Sequence, residues 1–157
     1  MKNFNYVEFA LMELEEAKEN YKKEKIDIDI VYYRATTLIY WLGALLDKKK
    51  DEIQDGDKQI CDAVRFAWNV VKHDKRLFEI GQKAYILNGI CGRMRCGQGL
   101  NPTNSVSRPT IIWKDLDDTD IRNMNGKEDY DFLFKNAQLD ETMSMIKNII
   151  EKYCSNT

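Results

Sequence analysis

From Tyr6 to about Lys22, Val7, Leu11, Leu14, Ala17 and Tyr21 recur at steps of three and four residues among glutamates and lysines. At about 100° per residue these positions share one side of a helix, so the pattern predicts a first helix with a charged back. The charged cluster Lys22-Lys23-Glu24-Lys25 interrupts it. A second helix is predicted from about Ile28 to Lys49, where Val31, Ala35, Leu38, Leu42, Leu45 and Leu46 form a stripe flanked by Ile39 and Trp41. So broad a stripe implies burial on more than one side. Arg34 shares a face with Val31, Leu38, Trp41 and Leu45, and a charge there must find a partner or reach water. The candidate partners are Glu13 and Glu16 of the first helix; the alternative is a substrate phosphate beside the third helix.

That third helix is predicted from about Lys58 to His73, after a polar loop containing Gly56. With Arg65 at 0°, the apolar residues from Ile60 to Val71 fill roughly 100° to 300°, and Lys58, Asp62, Asn69, Lys72 and His73 occupy the remaining edge. Short links between the helices favour antiparallel neighbours in an up-and-down bundle. Residues 76–127 differ: short apolar runs are broken by Gly89, Gly92, Gly97, Gly99 and Pro102, and Pro109-Thr110-Ile111-Ile112-Trp113 reads as a strand. This is a small β or loop excursion, followed by the acidic turn Asp115–Asp120. Helix returns from about Lys127 to Lys135 and from Leu139 to Tyr153, where Met143, Ile146, Ile149, Ile150 and Tyr153 make the closing stripe and Asp140 supplies a first-turn acid. The expected fold is mainly α, one domain over 157 residues, a helical bundle with an irregular insertion before its last helices.

Composition narrows the picture. With 43% hydrophobic and 32% charged residues the chain can bury a core without disulfides or metal. A net charge of −2 argues against a general nucleic-acid binder, because non-specific affinity comes from neutralising phosphates; a local basic patch stays open. Neither a signal-type leader nor a transmembrane run is present, since Arg34 interrupts the most apolar stretch, so a cytoplasmic protein with reduced cysteines is expected. Cys61 and Cys154 fall on apolar helical patterns and read as small core residues. Cys91 and Cys96 have a metal-like spacing, but one histidine and two distant cysteines would have to complete the set, so no metal or other cofactor is expected. Arg93 and Arg95 sit in the same glycine-bearing loop, whose ordinary role is a tight turn; it lacks the lysine and hydroxyl of a Walker motif. Trp41, Trp68 and Trp113 are expected in the core; the alternative for an exposed one is stacking on a base.

Candidate chemistry concentrates on the polar edge of the third helix, where Arg65, Asn69 and the lone histidine, His73, follow at four-residue steps. An imidazole titrates near neutrality and a guanidinium offers paired donors to a phosphate. Lys72, Lys75 and Arg76 cluster beside His73. The alternative is a solvated helix end, with His73 near the negative end of the dipole and next to Asp74.

The order of helices, ending in Asn69 followed four residues later by His73, resembles the HEPN superfamily of small α-helical domains. Its signature is an arginine, often followed by a polar residue, then four to six residues and a histidine. Asn69 and His73 match; the arginine's place is taken by Trp68, with Arg65 one turn earlier. The resemblance implies one of two activities. The first is a helical module acting through homodimerisation or a protein partner in bacterial stress or phage defence. The second is a divergent metal-independent ribonuclease in which His73 is the acid or base, Arg65 and Lys72 or Arg34 hold phosphate, and Asn69 orients the imidazole or the RNA.

Overall fold

The computed structural model describes residues 5–86, 105–117, 121 and 123–154. Five α-helices are found among them, α1 (Tyr6–Lys22), α2 (Ile28–Lys48), α3 (Lys58–Lys72), α4 (Lys127–Leu133) and α5 (Leu139–Cys154), with one antiparallel pair of strands, β1 (Phe78–Ile86) and β2 (Ser105–Trp113). The fold is mainly α with a small β excursion, as the periodicity indicates. No helix among the described residues is long and apolar enough to cross a membrane.

Local chemistry fixes where the helices begin and end. The Asn5 side chain caps α1 by accepting from the amides of Val7 and Glu8, and its Nδ2 donates to the carbonyl of Cys154, tying the start of the bundle to its end. At the far end of α3, Asp74 adopts φ +55°, its amide donates to the Val71 carbonyl and the Lys75 amide to the Val70 carbonyl. This is a Schellman closure with an aspartate in the left-handed position, and it makes His73 the residue that caps the helix instead of its last member. Glu24, at φ +57°, ends α1 in the same way.

The core is one continuous cluster running from Val7 and Leu14 on α1, through Leu38, Leu42 and Leu46 on α2 and Val64, Phe66 and Val70 on α3, to Ile146 and Ile150 on α5. α2 lies between α1 and α3 and packs on both. Gly43 permits the second contact: a Cβ there would lie 2.0 Å from the Cβ of Trp68. The strand pair is anchored at its base by Trp113. This ring is fully buried, stacks on Phe134 at 4.3 Å, and donates from Nε1 to Thr142 Oγ1 at 2.9 Å. Cys61 and Cys154 are buried thiols, which burial pushes up to about 12 and about 11, so neither is a reactive thiolate near neutral pH.

Trp41 departs from the expected core placement. It is exposed on α2, stacked on Tyr6 of α1 with centroids 4.7 Å apart. Its position, on the flank of α2 next to α1, is covered by the rings of Tyr6 and Tyr40 instead of by a layer of core. The acidic turn is only partly described, since 118–120 lie outside the described residues. Its first carboxylates are occupied: Lys135 reaches Asp115 and Asp117 at 3.1 and 2.6 Å, and Lys127 reaches Asp117 at 2.6 Å. These lysines hold the Asp117 carboxyl well below the usual carboxylate range. Cys91, Arg93, Arg95 and Cys96 also lie outside the described residues.

Candidate functional site

The polar edge of α3 divides in the structure. Its first two members, Arg65 and Asn69, line a cleft of about 390 Å³ together with Asp47 of α2, Lys58, Asp62 and Trp68 of α3, and Asn123, Asn125 and Gly126 of the segment before α4. That segment can close on α3 because Gly126 adopts φ +82° and has no side chain; a Cβ would lie 2.3 Å from the Asp62 carbonyl oxygen. Asn69 Nδ2 donates across the cleft to the Asn123 carbonyl at 3.4 Å.

Arg65 is committed to protein partners. One nitrogen donates to Asp47 at 2.9 Å and the other to Asp62 at 3.2 Å, so the guanidinium is flanked by two carboxylates and bridges α3 to α2. Its Nε is buried without a hydrogen-bond partner, as is Trp68 Nε1. With Lys58 also in the lining, two cations face two carboxylates. Such a balanced site suits a helix-to-helix brace better than the capture of a phosphate, which gains most where positive charge is in excess.

His73 and Lys72 are exposed at the end of α3, and neither belongs to the lining of this cleft. Lys72 instead places its ammonium 4.9 Å from the centre of the Trp68 ring. Four-residue spacing put Arg65, Asn69 and His73 on one edge, but the Schellman turn lifts His73 out of the helix just where that edge would continue. Arg34 lies on the opposite flank of α2, paired with Glu13 of α1, one of the two carboxylates expected for it. Its side chain is 43% exposed, so the pair sits at the rim of the bundle. No group of three or more His, Cys, Asp or Glu side chains that could hold a metal is present among the described residues.

Pattern reading missed a second surface. On α2, Ile30, Tyr33, Tyr40 and Trp41 are exposed, and on α1 Tyr6, Phe9 and Met12 are exposed as well. The α2 positions are separated by three, seven and eight residues, so they define an outward face opposite the buried stripe of Ala35, Leu38 and Leu42. Ile30, Tyr33 and Tyr40 lie outside the stripe that the spacing picks out, and of that stripe Trp41 alone is exposed.

No family model matches the chain, and neither a curated protein nor a solved structure matches it.

Proposed function

We propose that this chain is a cytoplasmic HEPN-like helical module that works by self-association, with the outer face of α2 as the contact surface, in the setting of bacterial stress or phage defence. The observation that carries the reading is the run of exposed Ile30, Tyr33, Tyr40 and Trp41 on a single helix, extended by Tyr6 and Phe9 of α1. Tyrosine, tryptophan and phenylalanine are the residues that protein interfaces concentrate, and a contiguous exposed apolar patch marks a contact surface on a protein otherwise well packed. An isologous dimer suits one helix face, because the same patch serves on both copies. Light scattering across the micromolar range tests this directly. A dimer that becomes a monomer in Ile30→Lys/Tyr40→Lys, with the helical spectrum unchanged, supports the reading; a wild-type monomer throughout, recovering no protein partner through this face, removes it.

Metal-independent RNA cleavage is the second reading, supported by the exposed run of Lys72, His73, Lys75 and Arg76 at the end of α3. It requires His73 and Arg65 to act on one phosphate, within a chain or across a dimer. RNA cleavage that persists in EDTA and disappears in His73→Ala would establish it. Absence of cleavage by the dimer would leave the binding module alone.

A further inference from the structure

Lys58, Asp62, Arg65 and Asn69 follow along α3 at steps of four, three and four, so one edge of the helix carries alternating charge past the cleft. Arg65 uses one oxygen of each carboxylate beside it, donating to Oδ1 of Asp47 and to Oδ1 of Asp62. The second oxygen of each accepts no hydrogen bond from the described residues. Lys58 stands one turn before Asp62, yet it forms no ion pair with it or with any other described residue. The cleft thus presents an unmatched ammonium at its Lys58 end and unused carboxylate oxygens a turn along. The facing segment is polar without charge: Asn125 donates its backbone amide to Asn123 Oδ1, while its own side chain makes no hydrogen bond among the described residues. An inorganic anion would face two aspartates and a simple cation would face Lys58 and Arg65, so neither gains from the whole lining. A molecule that carries both charges a few bonds apart does.

We propose that this cleft binds a free α-amino acid, its carboxylate at Lys58, its ammonium at the unused oxygens of Asp62 and Asp47, and its side chain toward the amides of Asn69 and Asn125. Side chains one turn apart on a helix edge are close neighbours, so a carboxylate and an ammonium joined through a single carbon can meet Lys58 and Asp62 together. Each contact is a charge-assisted hydrogen bond, and the long stem of Lys58 lets its ammonium adjust to the ligand. The cleft, at about 390 Å³, leaves room for a side chain beyond the two charged groups. Arg65 keeps its place between the carboxylates and fixes the oxygens that the ammonium meets. None of these residues belongs to the aromatic face invoked for self-association, so loss of the ligand and loss of the dimer are separate results.

The test is calorimetric titration of the full chain with each standard amino acid, followed by the N-acetyl and α-carboxamide forms of the one that binds best. At least one amino acid should bind with a Kd below about 1 mM, and removing either of its charges should weaken it about tenfold or more. Lys58→Ala should weaken the amino acid by a similar factor and leave the carboxamide, which has no carboxylate to lose, where it was. Asp62→Asn should weaken the amino acid and leave the N-acetyl form where it was. Should Asp62→Asn fail to fold, the Lys58→Ala arm decides alone, since that side chain is exposed and holds no partner. Absence of binding by every amino acid in the millimolar range overturns the proposal. So does a ligand that binds equally well without its charges, or one whose acid and carboxamide forms Lys58→Ala weakens alike.

Discussion

The polar edge of α3 and the outer face of α2 both depart from the placement that composition suggests for them. The α3 edge carries Arg65, Asn69 and the lone histidine, yet its arginine is held between Asp47 and Asp62 and its histidine stands outside the cleft. The α2 face carries no catalytic residue type beyond Arg34, yet Ile30, Tyr33 and Tyr40 are exposed without a covering layer. Charged residues that look like chemistry can be structural once each has an opposite charge within reach. Aromatic residues of the kind that fill a core can equally stand outside it, as they do on α2.

The largest expected effect concerns the inner side of α2. Gly43→Ala would gain helix propensity in isolation, but its Cβ would meet Trp68, so a net loss of about 1–3 kcal/mol is expected in denaturant melts. Unchanged stability would mean that α3 can move away from α2, and that the cleft built on their contact is not rigid. Next comes Arg65→Ala, expected to cost about 1–2 kcal/mol by leaving Asp47 and Asp62 together without their cation. If Arg65→Ala instead left stability intact and removed RNA cleavage, the α3 edge would be the working surface and the comparison would be reversed.

Arg34→Ala should cost less, about 0.5–1 kcal/mol, because its pair with Glu13 is partly solvated. Periodicity alone placed Arg34 inside the bundle and would have implied a far larger loss; the rim position explains the difference. A loss above about 3 kcal/mol, which is the range for breaking a buried pair, would show that the α1–α2 flank is closed to solvent.

The smallest effect is one of pH. Lys152 and Tyr153 hydrogen-bond the Asp57 carboxylate and lower its pKa below the ordinary value of 3.8. A depressed carboxylate contributes stability that is complete above that ordinary value and fades as pH falls through the folded one. The advantage of wild type over Asp57→Asn should therefore be constant near neutral pH and shrink below about pH 4. A difference that persists undiminished into strong acid would place its cause elsewhere.

Much of the fold was legible because each helix carries its own evidence. The 3.6-residue recurrence of Val7, Leu14 and Ala17, and of Met143, Ile146 and Ile150, is a local property that tertiary packing only had to confirm. Ser105–Trp113 was seen only from Pro109, since Ser105-Val106-Ser107-Arg108 has too little apolar content to read as a strand and takes its conformation from pairing with β1. The candidate site was less legible for a related reason. Spacing assigns a residue to a helix edge, but whether Arg65 meets a ligand or Asp47 depends on where α2 passes, and whether His73 continues the edge depends on the left-handed turn at Asp74. The aromatic face of α2 was hidden because an apolar residue looks the same in sequence whether it faces its own core or another molecule.

Light scattering of wild type beside Ile30→Lys/Tyr40→Lys, over the same micromolar range, tests the central claim most directly. The account expects a dimer for wild type and a monomer of undiminished helicity for the variant, because the substitutions charge only the outer face of α2. A wild-type monomer at every concentration, or a dimer that both charges leave intact, would contradict it.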